Sequence, residues 1–94
     1  MNFEWNDRKA DANLRKHGVS FKEAEDIFAA AAIFEDLDHS EVESRYLAIG
    51  FSAKGRVLTV VFARPEAGVY RIISARKANR REQKRYGKAK RENS

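Results

Sequence analysis

Arginine and lysine side chains are the groups in this sequence best suited to chemistry, and they are concentrated in its last quarter. Residues 71–94 carry ten Lys and Arg and two Glu, a net charge of +8, whereas residues 1–70 carry a net charge of −3. A guanidinium stays ionised and matches phosphate oxygens with parallel hydrogen bonds. This distribution indicates a polyanion or an acidic protein as ligand, and charge alone does not separate the two.

Two arginines stand where predicted strands begin or end. Arg45 begins the first of three consecutive strands and Arg76 ends the third. Strand ends can direct side chains into a shared cleft, where two guanidinium groups could stabilise an extra negative charge. The alternative is that Arg45 pairs with Glu43 and Arg76 with Glu82, each pair contributing about 0–1 kcal/mol if exposed.

The composition excludes several kinds of site. The chain has 94 residues and no cysteine, which excludes disulfides, thiolate zinc sites and a cysteine nucleophile. Its two histidines are too few for a histidine-rich metal centre, and His39 is expected to be a solvated loop residue. No apolar run approaches the ~20 residues that a membrane span needs, and the N-terminus does not resemble a signal peptide. We therefore expect a single cytoplasmic domain over 1–94, without a cofactor or metal.

The N-terminal half has the pattern of a short strand followed by two helices. Residues 3–5 alternate, and a helix that Asn6 or Asp7 can cap runs to about His17, with Gly18 as its C-terminal cap. The second helix begins with a capping box formed by Ser20 and Glu23. Its apolar stripe consists of Phe21, Ala24, Ile27, Phe28 and Ala31. The polar, acidic stretch from 36 to 44 predicts a loop.

The C-terminal half has the periods of strands and then of a charged helix. Residues 45–51 alternate, residues 57–63 are almost wholly apolar, and residues 69–75 form a third strand. Short turns between them predict an antiparallel β-meander. A charged helix begins at about Asn79, and residues 88–94 are expected to form a frayed basic tail. The fold class is therefore α+β, in the order β-α-α-β-β-β-α.

The last helix gathers its positive charge on one arc. At 100° per residue that arc holds Arg80, Arg81, Lys84, Arg85, Lys88 and Arg91. Glu82 and Tyr86 fall on the opposite side, one turn apart. A solvated basic face on a helix packed against the sheet accounts for this pattern, and the same face could also follow the phosphates of a nucleic acid.

Three blocks of the sequence resemble the BrnT family of toxins. The first comprises Trp5, Lys9, Asn13, Lys16-His17-Gly18-Val19-Ser20-Phe21 and Glu23-Ala24. The middle block comprises Glu43, Arg45, Gly50-Phe51-Ser52 and Gly55-Arg56. The last comprises Arg71-Ile72-Ile73-Ser74-Ala75-Arg76-Lys77-Ala78, Glu82 and Tyr86. The resemblance extends over about residues 3–86, and the first and last blocks together make it specific.

The resemblance implies a RelE-like ribonuclease toxin of a type II toxin–antitoxin pair, which blocks translation by cutting RNA. It also implies a BrnA antitoxin, a ribbon-helix-helix DNA-binding protein, as partner. The resemblance further implies that the complex of the two represses its own operon, so that operator DNA would be contacted only through that complex. A membrane is not among the implied partners.

Cleavage of RNA without a metal needs a base, cations at the phosphorus and an acid. Candidate catalytic residues are Arg45, Arg76, Glu82, Tyr86 and His17, and candidate RNA-binding residues are Lys9, Lys16, Arg80, Arg81, Lys84 and Arg85. Glu82 could be a base if burial raises its pKa, or it could orient Arg76. Tyr86 could pack, stack on a base or donate a proton.

Several of these candidates have structural alternatives. His17 has the pKa range for proton transfer, or it caps the apolar face of the first helix. Lys9 and Lys16 could hold phosphate or keep the helix soluble, and Trp5 is expected in the core rather than stacked on a base. Two other functions stay open: a non-catalytic nucleic-acid-binding module, and an interaction protein whose basic helix binds an acidic partner.

Overall fold

The computed structural model describes residues 1–37 and 43–92. In chain order the elements are β1 (Asn2–Glu4), α1 (Asp7–His17), α2 (Phe21–Glu25), a 3₁₀ turn (Asp26–Ala29), β2 (Ala32–Glu35), β3 (Arg45–Phe51), β4 (Val57–Ala63), β5 (Val69–Lys77) and α3 (Arg80–Glu92). The predicted α+β class and element order are confirmed, with β2 as one further strand. None of the helices in this part of the chain is long and apolar enough to cross a membrane.

The five strands form one sheet in the order β1-β5-β4-β3-β2. β3, β4 and β5 are the predicted antiparallel meander. β2 adds antiparallel to β3, and β1 adds parallel to β5. The β4–β5 register shifts between Val61 and Phe62, so that Val61 faces Ser74 while Phe62 faces Ile72. Such a bulge bends a strand and redirects the side chains beside it.

The face of the sheet that packs on α1 and α2 carries the hydrophobic core. Ala48, Val60 and Ala75 are paired neighbours on β3, β4 and β5, and all three are buried there against α2 residues such as Phe21. Trp5 packs edge-on against Phe21, with ring centroids 5.9 Å apart, which places it in the core as expected. We call this side the α1 face.

The caps of α1 follow the sequence closely. The Asn6 side chain accepts a hydrogen bond from the Lys9 amide at 3.1 Å, and the helix ends at His17. Gly18 closes it in the left-handed conformation, with φ of 69°. A residue with a Cβ is strained at such a φ, which is why glycine suits this position.

The second helix is shorter than the sequence predicts. Its apolar stripe does face the core, but the α-helix ends at Glu25 and a 3₁₀ turn carries the chain to Ala29. The chain is then extended from Ala32, where β2 pairs with β3. Gly50 permits this close crossing, because a Cβ there would come within 3.3 Å of Ile27. β2 has only four residues and follows a run of alanines, so its alternation of apolar and polar residues is too short to identify a strand from the sequence.

The opposite side of the sheet, which we call the α3 face, receives the last helix. Side chains alternate along a strand, so the strand residues adjacent in sequence to Ala48, Val60 and Ala75 point to the α3 face. α3 packs there through Tyr86, whose ring lies 5.8 Å from that of Phe51, and through Arg85, whose guanidinium lies 3.9 Å from the centre of the Phe34 ring. The helix continues through Gly87 to Glu92, over part of the region expected to fray.

Candidate functional site

An open cleft of about 340 Å³ lies on the α3 face, beside the part of the sheet that α3 covers. It is lined by Asp36, Arg45, Leu47, Val61, Ile73, Ser74 and Arg76. Arg45 enters from the start of β3 and Arg76 from near the end of β5. The structure therefore brings into one cleft the two arginines that stand 31 residues apart in the sequence. Their placement depends on the meander, which stacks β3, β4 and β5 side by side.

Arg76 is held by Glu82 through two parallel hydrogen bonds. Nη1 donates to Oε1 and Nη2 donates to Oε2, each at 2.7 Å. The Arg76 side chain keeps 38% of its exposure, while that of Glu82 keeps 10%. A bidentate pair of this kind fixes the plane of the guanidinium. Arg76 is thus held in one orientation while it still reaches the solvent of the cleft.

Glu82 is itself fixed by the start of α3. Its amide donates to the Asn79 side chain at 2.8 Å, and its Oε1 accepts from the Asn79 amide at 2.9 Å. This is a reciprocal capping box, with Asn79 before the helix and Glu82 three residues later. The helix start therefore holds the carboxylate that holds Arg76.

The ionisation of this pair argues against Glu82 as the base. Burial acts to raise the pKa of Glu82, but the hydrogen bonds from Arg76 and from the Asn79 amide outweigh it, and the pKa lies below its ordinary value. The hydrogen bond to Glu82 in turn raises the pKa of Arg76. A base role for Glu82 depended on a raised pKa, so the geometry favours the alternative role of orienting Arg76.

Two other catalytic candidates lie away from the cleft. Tyr86 packs against Phe51, at the opposite end of β3 from Arg45. His17 is half-buried at the end of α1, the helix that packs against β5. It does not line the cleft, so the structure does not group this histidine with Arg45 and Arg76. His39 lies outside the described residues.

The RNA-binding candidates divide between two helices, α3 and α1. Arg80, Arg81 and Lys84 are exposed on α3, which begins beside the Arg76–Glu82 pair. The structure thus joins them to the cleft as one basic surface. Lys9 and Lys16 are exposed on α1, and neither lines the cleft.

Arg85 has a packing role that the sequence did not predict. Its guanidinium lies over the ring of Phe34, a residue of the strand that the sequence missed. This cation–π contact attaches α3 to β2.

Asn13 is a buried polar residue whose role the sequence left open. Its side-chain amide donates to the carbonyls of Val19 and Ala75 at 2.9 and 2.8 Å and accepts from the Ala75 amide at 3.1 Å. It therefore fastens α1 to β5, one residue before Arg76. Its place inside the first sequence block was the available signal.

In a capping box the glutamate side chain reaches back to the cap residue, but the Glu23 carboxylate is bound elsewhere. Ser20 accepts from the Glu23 amide at 3.0 Å as expected, but the Glu23 carboxylate binds Ser52 and Arg56.

Among residues 1–37 and 43–92, no group of three His, Asp or Glu side chains is arranged to hold a metal ion.

Comparisons with known proteins agree with this architecture. A family model described as ribonuclease toxin, BrnT, of type II toxin–antitoxin system matches residues 5–82. The fold is similar to the 1.1 Å crystal structure of the Brucella abortus ribonuclease toxin BrnT, with 26% sequence identity and a TM-score of 0.69, over 85% of this chain and 99% of that one. No curated protein sequence gives a significant match. The resemblance carried by the three sequence blocks is confirmed: the chain belongs to the family of BrnT ribonuclease toxins of type II toxin–antitoxin systems.

Proposed function

We propose that the chain is an endoribonuclease that needs no metal and that cuts RNA in the cleft lined by Arg45 and Arg76. The observation that supports this most is the convergence of these two arginines on one open cleft, with Arg76 fixed by Glu82. Two guanidinium groups on one phosphate provide the charge that a metal ion would otherwise supply. Family membership supports the same substrate class.

The reaction would be a transesterification within the RNA chain. The 2′-hydroxyl loses its proton, its oxygen bonds to the neighbouring phosphorus, and the bond from phosphorus to the 5′-oxygen breaks. The products are a 2′,3′-cyclic phosphate and a 5′-hydroxyl. The phosphorus gains negative charge at the transition state, so Arg45 and Arg76 would bind that state more tightly than the substrate.

The basic side of α3 would bind the RNA that flanks the cleaved bond. Arg80, Arg81 and Lys84 are exposed and begin next to Arg76. Cations in such a row bind successive phosphates without reading the sequence. Single-stranded RNA suits an open cleft on a sheet, since its backbone can bend into it.

We infer that the antitoxin is of the BrnA type, a ribbon-helix-helix protein, and that it neutralises the toxin by covering Arg76 or the start of α3. The complex would reach operator DNA through the antitoxin, and both proteins would act in the cytoplasm. Type II family membership supports a protein antitoxin in general. Full ribonuclease activity of the purified complex would contradict the covering of the cleft.

The test is incubation of the purified chain with an end-labelled RNA in excess EDTA. We expect cleavage that leaves a 2′,3′-cyclic phosphate, with no cleavage at a site carrying a 2′-deoxy sugar. The Arg76→Ala variant, purified in parallel, controls for a contaminating nuclease, because cleavage by a contaminant would not be reduced by that substitution. Salt-sensitive binding without cleavage, with or without ribosomes, would instead identify a non-catalytic nucleic-acid-binding module.

A further inference from the structure

One uncharged polar side chain of the cleft has no role in the account so far. Ser74 lines the cleft beside Arg76, and it is half-buried. Among the described residues its hydroxyl has no hydrogen-bond partner. The uncharged side chains that line the cleft with it are apolar: Leu47, Val61 and Ile73. Ser74 is therefore the one hydroxyl among the described residues that line the cleft.

A bulge in β5 turns Ser74 toward the cleft. The register leaves Ile73 as one extra residue between Ile72 and Ser74. Ile72 and Ala75 both lie in the core, although strict alternation would place residues three apart on opposite faces. Without the bulge, Ser74 and Arg76 would share the core face with Ile72. The bulge therefore places the hydroxyl and the guanidinium together on the α3 face, which is what a bulge beside a functional site does.

The register also sets Ser74 midway between the two arginines of the cleft. Three alternate residues of β4 mark the levels: Ala63 pairs with Arg45, Val61 with Ser74, and Thr59 with Arg76. At about 3.4 Å per residue, the levels of Arg45 and Arg76 are roughly 13 Å apart along the sheet. The two side chains share a phosphate only by reaching toward each other, and they then meet over the level of Ser74.

A serine hydroxyl at this level has the chemistry to bind a phosphate. It can donate one hydrogen bond to a phosphate oxygen. It carries no negative charge, so it does not repel the phosphate as a carboxylate would. When the 2′-oxygen bonds to phosphorus, negative charge grows on the non-bridging oxygens, and a donor already held at that place binds them more strongly as the charge grows.

We propose that the Ser74 hydroxyl is a catalytic group of this site and donates a hydrogen bond to a non-bridging oxygen of the phosphate that is cleaved. The inference rests on the proposed ribonuclease function. Ser74 keeps its proton throughout, so the bonds made and broken in the transesterification are unchanged. The hydroxyl adds one donor to those of Arg45 and Arg76, and it adds no charge.

The test compares single-turnover cleavage by the wild type, Ser74→Ala, Ser74→Thr and the matched control Ser44→Ala, which removes an exposed hydroxyl that does not line the cleft. Removal of one preorganised donor to a transition state slows a reaction by about 10²–10³-fold. Because this cleft is open to water, we expect Ser74→Ala to lose at least about tenfold. Ser74→Thr keeps a hydroxyl and should be faster than Ser74→Ala, and Ser44→Ala should match the wild type.

A modified substrate separates contact with the phosphate from a structural role. Sulfur accepts hydrogen bonds more weakly than oxygen, so a phosphorothioate with sulfur in place of the contacted oxygen should slow cleavage by the wild type. The same substrate should slow Ser74→Ala less, because the donor is already gone. The salt slope of RNA binding should be the same for Ser74→Ala and the wild type, since the lost donor is uncharged.

Three results would overturn the inference. The first is a folded Ser74→Ala protein that cleaves within about threefold of the wild type. The second is equal slowing of the wild type and Ser74→Ala by each of the two phosphorothioate diastereomers. The third is a smaller salt slope for Ser74→Ala, which would show that the substitution had displaced the arginines. Absence of cleavage by the wild type would instead overturn the proposed function, and this inference with it.

Discussion

Two arginine–glutamate pairs occupy equivalent local positions and differ in what surrounds them. Glu23 and Glu82 each stand three residues after the cap of a helix, and each binds an arginine from the sheet region, Arg56 and Arg76 respectively. The side chains of the first pair are 4% and 27% exposed, and those of the second pair 10% and 38%. The sequence pattern is shared, so the difference comes from the contacts around each pair.

The pair formed by Glu23 and Arg56 connects separate segments of the chain. Arg56 also donates to the Gly18 carbonyl at 3.0 Å, and Ser52 donates to Glu23 at 2.7 Å. Lys54 lies 3.9 Å from the same carboxylate. The end of α1, the start of α2 and the turn between β3 and β4 are thus fastened together. This pair is a structural cross-link.

The pair formed by Arg76 and Glu82 connects only the end of β5 to the start of α3. Apart from a 3.5 Å contact with the Lys77 carbonyl, the side-chain hydrogen bonds of Arg76 within the described residues go to Glu82. Arg76 also lines the cleft. The comparison teaches that the same capping glutamate can cross-link the fold in one place and present a cation to a ligand in another.

Arg76→Ala should produce the largest effect on activity. We expect cleavage to slow by about 10²–10³-fold, as when one transition-state donor is removed. The free energy of unfolding should fall by about 1 kcal/mol or less, because the pair is partly solvated. Single-turnover kinetics and urea unfolding measure the two, with the exposed α1 residue Arg8→Ala as control. Equal losses of activity in Arg76→Ala and Arg8→Ala would contradict a specific role of Arg76 in cleavage.

Glu23→Ala should show the reverse pattern. Its carboxylate is nearly buried and binds a charged partner, so we expect the free energy of unfolding to fall by about 1.5–3 kcal/mol. The cleavage rate of the folded protein should stay within about twofold of the wild type, since the cross-link lies outside the cleft. Denaturant unfolding and kinetics at a temperature where the variant is folded provide the readouts. A folded variant without activity would contradict this separation.

The pH dependence of stability should report both carboxylates. The hydrogen bond from Arg56 lowers the pKa of Glu23, and hydrogen bonds from Arg76 and Asn79 lower that of Glu82 against the effect of burial. The unfolded chain then binds protons at higher pH than the folded one, at about the ordinary glutamate value of 4.3. Stability is therefore full above that pH and declines as the pH falls through the lowered values.

Urea unfolding between pH 7 and pH 3 tests this directly. Glu23→Gln and Glu82→Gln should each flatten the acid decline, and the double variant should flatten it most. Curves for all variants that run parallel to that of the wild type would show that neither pair contributes.

The smallest expected effect is on the salt dependence of RNA binding, which should differ between charges removed from α3 and charges removed from α1. Replacing Arg81 and Lys84 by alanine should reduce the slope of log K against log salt for single-stranded RNA by about 1.4, at ~0.7 for each phosphate that the protein no longer neutralises. Replacing Lys9 and Lys16 removes the same charge from α1, whose residues do not line the cleft, and should leave the slope unchanged. Equal reductions would mean that RNA also contacts α1.

The elements with clear local signals could be predicted from the sequence. The meander, the cap at Asn6 and the left-handed Gly18 follow from alternation and capping chemistry. β2 could not be predicted, because a four-residue strand depends on pairing with β3 rather than on its own pattern.

The candidate site was predictable only in part. The meeting of Arg45 and Arg76 follows from strand order, which alternation and short turns indicate. The place of Asp36 at the cleft depends on the pairing of β2 with β3, and the position of His17 depends on how α1 packs against β5. Both are tertiary facts without a local signature, so the sequence alone could not place either residue relative to the cleft.

The central claim is that Arg45 and Arg76 act on one phosphate. A double-mutant cycle of cleavage rates in EDTA, with Arg45→Ala, Arg76→Ala and the double variant, tests it most directly. Groups that act as a unit are strongly non-additive. We predict that each single variant loses about a hundredfold or more and that the double variant loses far less than the product of the two. An Arg45→Ala variant that cleaves like the wild type, or losses that simply multiply, would contradict a shared phosphate site.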